Sequence, residues 1–193
     1  MLVERDTKTA LLDFAEHAAR SRGFDGFSYA DLSEAVGIKK ASIHYHFPTK
    51  AILREALMDR YHVYVEERCH DIKTQSEVGA ERLLGLIGFY REALGDGKIL
   101  CLCVSLSASK DSLSKAVITK INTFRSMMVQ WLAEVFKAAK DDHSIGNVSK
   151  PRDEAQATLA LLEGAQLAAR AEENVLVFDR AVAILKSRCE KSN

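Results

Sequence analysis

Apolar residues recur along this chain at intervals of three and four, and that spacing limits it to a core built of helices. The longest seam, Val117, Ile121, Phe124, Met128, Trp131 and Val135, steps by four, three, four, three and four, so these side chains share one face of a single helix. From Thr7 onward, Leu11, Phe14, Ala15 and Ala18 repeat the pattern. No stretch alternates apolar and polar residues between turn signals, no repeat of ~20 to 50 residues is visible, and nothing has low complexity. The expected fold is all-α.

Read with its start and stop signals, the spacing divides the chain into about nine helices. A first helix of about four turns runs from Thr7 and ends at Gly23, just past Arg20 and Arg22. Ser28 opens a second, with Asp31 as a short relative of the capping box and Gly37 closing it. A third restarts at Lys39 with Ile43 and Phe47 inward, and Pro48 stops it by constraining the residue before it. Thr49 caps a longer segment carrying Ile52, Leu53, Leu57, Tyr61, Tyr64 and Val65, which extends to about Lys73. Leu83, Leu84, Ile87 and Tyr90 mark the next helix, ending near Gly95 and Gly97. From Leu100 a single long helix with a break near Ser109 to Ser114 is expected. Asp141 to Pro151 reads as a loop or disordered connection, and two last helices cover about Arg152 to Glu172 and Val175 to Arg188.

Composition adds exclusions. With 193 residues, 47% hydrophobic and 28% charged, the chain fits one or two ordinary globular domains and neither a disordered nor a fibrous protein. Charges break the apolar stretches well short of the ~18 to 20 residues a membrane span needs. Glu4, Arg5 and Asp6 follow Met1 where a leader would be basic and then apolar, so a cytoplasmic location with no membrane partner is expected. Cys69, Cys101, Cys103 and Cys189 are too few for a disulfide framework in so long a chain, and a cytosolic thiol pool keeps such residues reduced. The 27 basic and 27 acidic residues cancel, which argues against indiscriminate coating of nucleic acid but leaves room for a local basic surface.

Such a surface is written between Glu34 and Glu55. That interval holds no acidic residue, yet contains Lys39, Lys40, Lys50 and Arg54 together with His44, Tyr45 and His46. Phosphate oxygens favour such a place, because each neutralised phosphate releases counterions. The helix from Lys39 is short enough for its first residues to enter a major groove while the preceding helix crosses the backbone, with Ser42, Tyr45 and His46 offering hydrogen bonds. Taken alone, a charge run more often marks a solvated face. The context favours a reading head: a helix, a turn at Gly37 and a second short helix, with Leu32, Val36 and Ile43 available to pack the two together. His44 and His46 point about 200° apart around a helix, so no metal is expected on that pair.

Thr7 to Arg54, about a quarter of the chain, resembles the DNA-binding domain of tetracycline-repressor-like (TetR family) regulators. The resemblance rests on Gly23-Phe24, on Ala35-Val36-Gly37-Ile38, and above all on the run Lys40-Ala41-Ser42-Ile43-His44-Tyr45-His46-Phe47-Pro48-Thr49-Lys50. It implies a three-helix helix-turn-helix domain over residues 1–50 and a helical ligand-binding and dimerisation domain over residues 51–193. It also implies that Ser28 and Tyr29 meet phosphate or an edge base, that Lys39, Lys40, Ala41, Ser42, His44, Tyr45 and His46 form the groove-facing helix, and that Lys50 binds phosphate. His44 departs from the pattern, standing where the family usually has tyrosine.

A recognition helix this short reads few base pairs, so useful affinity requires two copies on half-sites roughly 34 to 36 Å apart, or a multiple of that. Leu159, Leu162, Gln166 and Ala169 on one of the last two helices, and Phe178, Val182 and Leu185 on the other, have packing spacing, and Ala155, Ala157, Ala160, Gly164, Ala165 and Ala168 allow close approach. Spacing fits closure of the subunit's own core equally well; the resemblance, in which the last two helices pair with their two-fold mates, implies a homodimer. It further implies an apolar cavity for a small-molecule inducer, for which Phe89, Tyr90, Cys101, Cys103, Phe124, Met127, Met128 and Trp131 are the candidates. Leu100 to Ser109 resembles a cysteine-containing stretch in one branch of the family, some of whose members respond to electrophiles or oxidants. No Lys, Arg or His lies between Lys98 and Lys110 to favour a thiolate, so buried, inert cysteines stand against a redox role.

The function implied is a ligand-responsive transcriptional regulator, a repressor released from a palindromic double-stranded DNA operator by its inducer. The alternatives are a helical ligand-binding or interaction module, and a cysteine-based redox or electrophile sensor of the same build. The sequence has no Gly-x-Ser-x-Gly elbow, phosphate-binding glycine loop or His-Glu-x-x-His pair, and a lone acid such as Glu163 on an apolar helix reads as a satisfied polar group. Neither enzymatic activity nor a cofactor is expected.

Overall fold

The computed structural model describes residues 7–108 and 113–189. Among the described residues it contains nine α-helices, one 3₁₀ turn and no strand. The helices are α1 (Thr7–Arg22), α2 (Tyr29–Val36), α3 (Lys40–His46), α4 (Lys50–Gln75), α5 (Gly79–Ala93), α6 (Leu102–Ser107), α7 (Lys115–Asp141), α8 (Pro151–Ala171) and α9 (Val175–Cys189). The boundaries follow the start and stop residues closely, with Lys39 as the cap of α3 and α4 running on to Gln75. The segment from Leu100 gives two helices, α6 and α7; of the break expected there, Ser109 to Ser112 lie outside the described residues. Among the described residues, no helix is long and apolar enough to cross a membrane.

The described residues divide into two compact units, one from 7–62, 102–108 and 113–122, the other from 63–101 and 123–189. In the first unit, Leu11, Ala15 and Ala19 of α1 pack in a core with Leu32, Ile43, Phe47, Leu53 and Leu57. The turn Phe24–Gly26 follows α1 and buries Phe24 beside Phe27; three residues are too few to leave a period in the sequence, and the turn was not foreseen. Gly37 ends α2 with φ 74°, a left-handed conformation that a Cβ makes costly, and its N–H donates to the Ser33 carbonyl. Arg60 of α4 ties the unit to α1 through Asp13 and Glu16, each at 2.7 Å.

The second unit centres on the α8–α9 hairpin with α5 against it, around Leu159, Leu162, Phe178 and Val182. Helix α5 begins without a side-chain cap of its own. Its orphan amides are met from elsewhere: Gly79 N–H donates to Asp142 Oδ2 at 2.7 Å and Ala80 N–H to Ser144 Oγ at 2.9 Å. A Cβ at Gly79 would lie 2.4 Å from the Ala139 backbone nitrogen, so α5 starts here because glycine lets the two backbones touch. The connection after α7 is fastened too: Arg188 donates to the carbonyls of Gly146 and Asn147 and pairs with Glu154.

Candidate nucleic-acid interface

Helix α2 is started by a complete capping box, in which the Ser28 hydroxyl accepts from Ala30 N–H and Asp31 N–H while the Asp31 carboxylate accepts from Ser28 N–H at 2.6 Å. Those Ser28 bonds hold the Asp31 carboxyl below the usual carboxylate range. Ser28 is thus occupied in starting the helix that supports α3. Leu32 of α2 and Ile43 of α3 are fully buried, and Ser33 Oγ donates to the Ile38 carbonyl across the turn.

Within α3, Ile43 is buried and His46 half-buried, while Lys40, Ala41, Ser42, His44 and Tyr45 are exposed, as is Lys39 before them. Tyr45 is 83% exposed, an unusual placement for so large a ring. Ala41, Ser42, Tyr45 and His46 line a surface cleft of about 430 Å³ with Thr7 and Ile38. Thr7 and Ile38 escaped the sequence reading because neither lies on the basic helix itself.

Two expected phosphate ligands have inward tasks. Tyr29 Oη donates to the Phe47 carbonyl at 2.8 Å, and burial pushes its hydroxyl pKa up. Its ring meets His44 edge-on, the centroids 5.0 Å apart, and His44 Nδ1 lies 3.3 Å from the Pro48 carbonyl. Lys50 donates to the carbonyls of Phe24 and Phe27, and its ammonium sits 5.1 and 4.7 Å from the two ring centroids. Burial holds the Lys50 pKa below the ordinary lysine value. Arg54 stacks 4.1 Å over the Phe24 ring and reaches Asp25 at 3.1 Å. Of the four cations in the acid-free window, Lys39 and Lys40 therefore face solvent, while Lys50 and Arg54 brace the turn after α1.

In the second unit, Leu159, Leu162, Ala169, Phe178, Val182 and Leu185 are buried inside the subunit, covered by its own core. Gln166, 1% exposed, accepts from Cys101 N–H at 3.0 Å and donates to the Tyr90 carbonyl at 3.1 Å. The face that α8 and α9 leave outward carries Ala157, Ala160, Gly164, Leu167, Leu176 and Ile184. Sequence spacing marks the buried stripe, and of this second face the sequence reading picked out the small residues Ala157, Ala160 and Gly164 but not Leu167, Leu176 and Ile184.

Among the residues expected to line a ligand cavity, Phe89, Tyr90, Cys101, Phe124 and Met128 are buried. Met127 and Trp131 are half-buried, and line a groove of about 280 Å³ with Cys69, His70 and Gln130. Trp131 Nε1 donates to the Cys69 carbonyl at 3.2 Å. Cys103 is buried and belongs to the first unit. All four cysteines are free thiols, and burial, reinforced by Glu66, pushes the Cys69 thiol up to about 12, far from a thiolate at neutral pH. Glu163 is buried and met by the Arg125 guanidinium on both carboxylate oxygens.

A family model described as bacterial regulatory proteins, tetR family, matches residues 11–57, which take in the capped α2, the Gly37 turn and α3. The HTH-type transcriptional repressor NemR of Escherichia coli is 25% identical over 190 residues, covering 95% of this chain and 94% of NemR. A TetR-family transcriptional regulator from Agrobacterium tumefaciens superposes with a TM-score of 0.90 at 26% identity, over 96% of this chain and 98% of that one. The reduced form of E. coli NemR superposes with a TM-score of 0.80 at 23% identity, over 96% of this chain and 98% of that one. Residues 11–57 thus match the tetR family of bacterial regulatory proteins, and along nearly its whole length the chain is similar to NemR and to the Agrobacterium tumefaciens TetR-family regulator.

Proposed function

We propose that this protein is a homodimeric, cytoplasmic transcriptional repressor that binds a palindromic double-stranded operator through α3 and leaves it when a small molecule binds. The observation that carries the reading is α3 itself: one buried anchor, Ile43, with Lys40, Ala41, Ser42, His44 and Tyr45 outward beside a capped supporting helix. The repressor named among its relatives supports the sign of regulation. In this reading residues 1–50 are the reading head, and the remaining helices hold ligand and partner.

A second copy fits the outward face of α8 and α9. Its small residues permit close helix packing, a Cβ at Gly164 would meet nothing within 4 Å, and Ile184 is 64% exposed. A single short recognition helix needs a two-fold mate to span an operator, which gives this face its occupant. Ile184→Asp is expected to convert the dimer to monomer in analytical ultracentrifugation without unfolding the subunit; an unchanged dimer would move the interface elsewhere. Burial of Cys69, Cys101 and Cys103 lends no support to a redox reading at those three residues, while Cys189 is half-buried.

The direct test is a gel shift with DNA flanking the protein's own gene, run at two salt concentrations. Sequence-selective binding that weakens steeply with salt is the expected result. Binding indifferent to sequence would overturn the repressor reading in favour of a helical ligand-binding or interaction module.

A further inference from the structure

We propose that the surface groove between α4 and α7 binds a small organic cation, holding its charge at Glu66 and its apolar body against Met127 and Trp131. The proposal rests on the ligand-responsive reading above and gives that ligand a chemical class.

Two helices build the groove in one register. Lys73 Nζ of α4 meets Glu134 Oε2 of α7 at 3.1 Å, and one turn earlier the Cys69 carbonyl accepts from Trp131 Nε1 at 3.2 Å. These rungs climb both helices together, so α4 and α7 run parallel here, and one further turn back comes the pair Glu66 and Met127. All eight lining residues come from these two helices and lie within the second unit, around a volume of about 280 Å³.

The groups already engaged define what a ligand must supply. Lys73 and Gln130 both donate to Glu134, and these bonds hold its carboxyl below the usual carboxylate range. Trp131 spends its single side-chain N–H on the Cys69 carbonyl, so it has aromatic surface left to offer, and Met127 adds a polarisable thioether. The Cys69 thiol keeps its proton at neutral pH, and Glu66 is near enough to help push it up. Glu66 itself is exposed and meets no hydrogen-bond or ion-pair partner among the described residues. His70, exposed one turn beyond it, is the other polar group still open to a hydrogen bond.

The basic residues around Glu66 are committed elsewhere. Lys73 lies seven residues on, about 10 Å along the helix, and is held by Glu134. Arg68 pairs with Asp71 and lies 5.7 Å from the Phe89 ring centroid, while Arg125 of α7 is taken by Glu163. Glu67 adds a second negative charge alongside. An unpaired carboxylate beside indole and thioether suits a cation whose charge is spread over carbon, because the ring attracts it as well. A bare metal ion does not fit: among the described residues no three His, Cys, Asp or Glu side chains converge to hold one. At about 280 Å³ the groove sits at the foot of the roughly 300 to 1,000 Å³ range of ligand sites, which sets the ligand at one ring.

Trp131 is the chain's single tryptophan, so its emission reports on the groove without a label. The test titrates the full-length protein, without DNA, with benzyltrimethylammonium, an aromatic quaternary cation that does not titrate. Benzyl alcohol and phenylacetate serve as the neutral and anionic counterparts. A saturable change in emission is expected with the cation alone, its affinity falling as ionic strength rises. Glu66→Gln is expected to weaken binding about fivefold, and Glu67→Gln, next to it but outside the lining, less than about twofold. Both positions are exposed, so neither change threatens the fold. A response that does not saturate, one matched by benzyl alcohol or phenylacetate, or an affinity unchanged by Glu66→Gln or lowered equally by Glu67→Gln, overturns the proposal. With no DNA present, failure of the groove is read separately from failure of operator binding.

Discussion

Helix α3 fully buries one residue of seven, Ile43, whereas α8 buries eight of twenty-one, among them the polar Thr158, Glu163 and Gln166. A helix held by one side chain leaves the rest of its surface free for a partner, and its outward residues can change with little effect on stability. A helix held by eight is committed to its own subunit, and its polar groups are engaged there: Glu163 by Arg125, Gln166 by Cys101 and Tyr90. In this molecule the residues proposed to recognise DNA and most of those that hold the second unit together sit on different helices.

That separation can be broken by substitution. Leu162→Ala in α8 is expected to destabilise the protein by about 3 kcal/mol in urea unfolding, since a fully buried side chain leaves a cavity behind. A loss below 1 kcal/mol would mean that α8 is far less committed than its burial indicates. Lys50→Ala removes a charged donor from two carbonyls and is expected to cost about 1 to 2 kcal/mol in the same measurement, with DNA binding weakened through the slackened turn. If stability were unchanged while affinity fell, Lys50 would be a direct phosphate ligand. Tyr45→Ala sits at the other extreme. Its unfolding curve is expected to shift by less than about 0.5 kcal/mol, while binding assays across operator variants reveal altered discrimination. A loss of stability instead would blur the contrast between the two helices.

Most of the first unit was legible because its punctuation is local. Ser28, Gly37 and Pro48 act on the backbone within a few residues of themselves, so the ends of α2 and α3 follow from the sequence without knowledge of anything distant. The inward turn of Lys50 was not legible, because its partners are main-chain carbonyls 26 and 23 residues away that carry no side-chain signature. The same limit applies to α8 and α9. Periodicity identified Leu159, Leu162, Phe178 and Val182 as packed, but burial against the same chain and burial against a second copy leave one pattern. On the outward face Ala157, Ala160 and Gly164 were readable as permitting close approach, but with so little hydrophobic contrast they form no period that would tie them to Leu167, Leu176 and Ile184.

The start of α5 has a consequence of a different kind. Helix ends are ordinarily where thermal opening begins. This one is spliced to a segment 63 and 64 residues downstream by the Asp142 and Ser144 bonds, with Gly79 flush against Ala139. Neither helix can lengthen, slip or rotate at that end unless the other moves in step, so α5 and the far end of α7 behave as one strut, and position 79 tolerates no side chain at all.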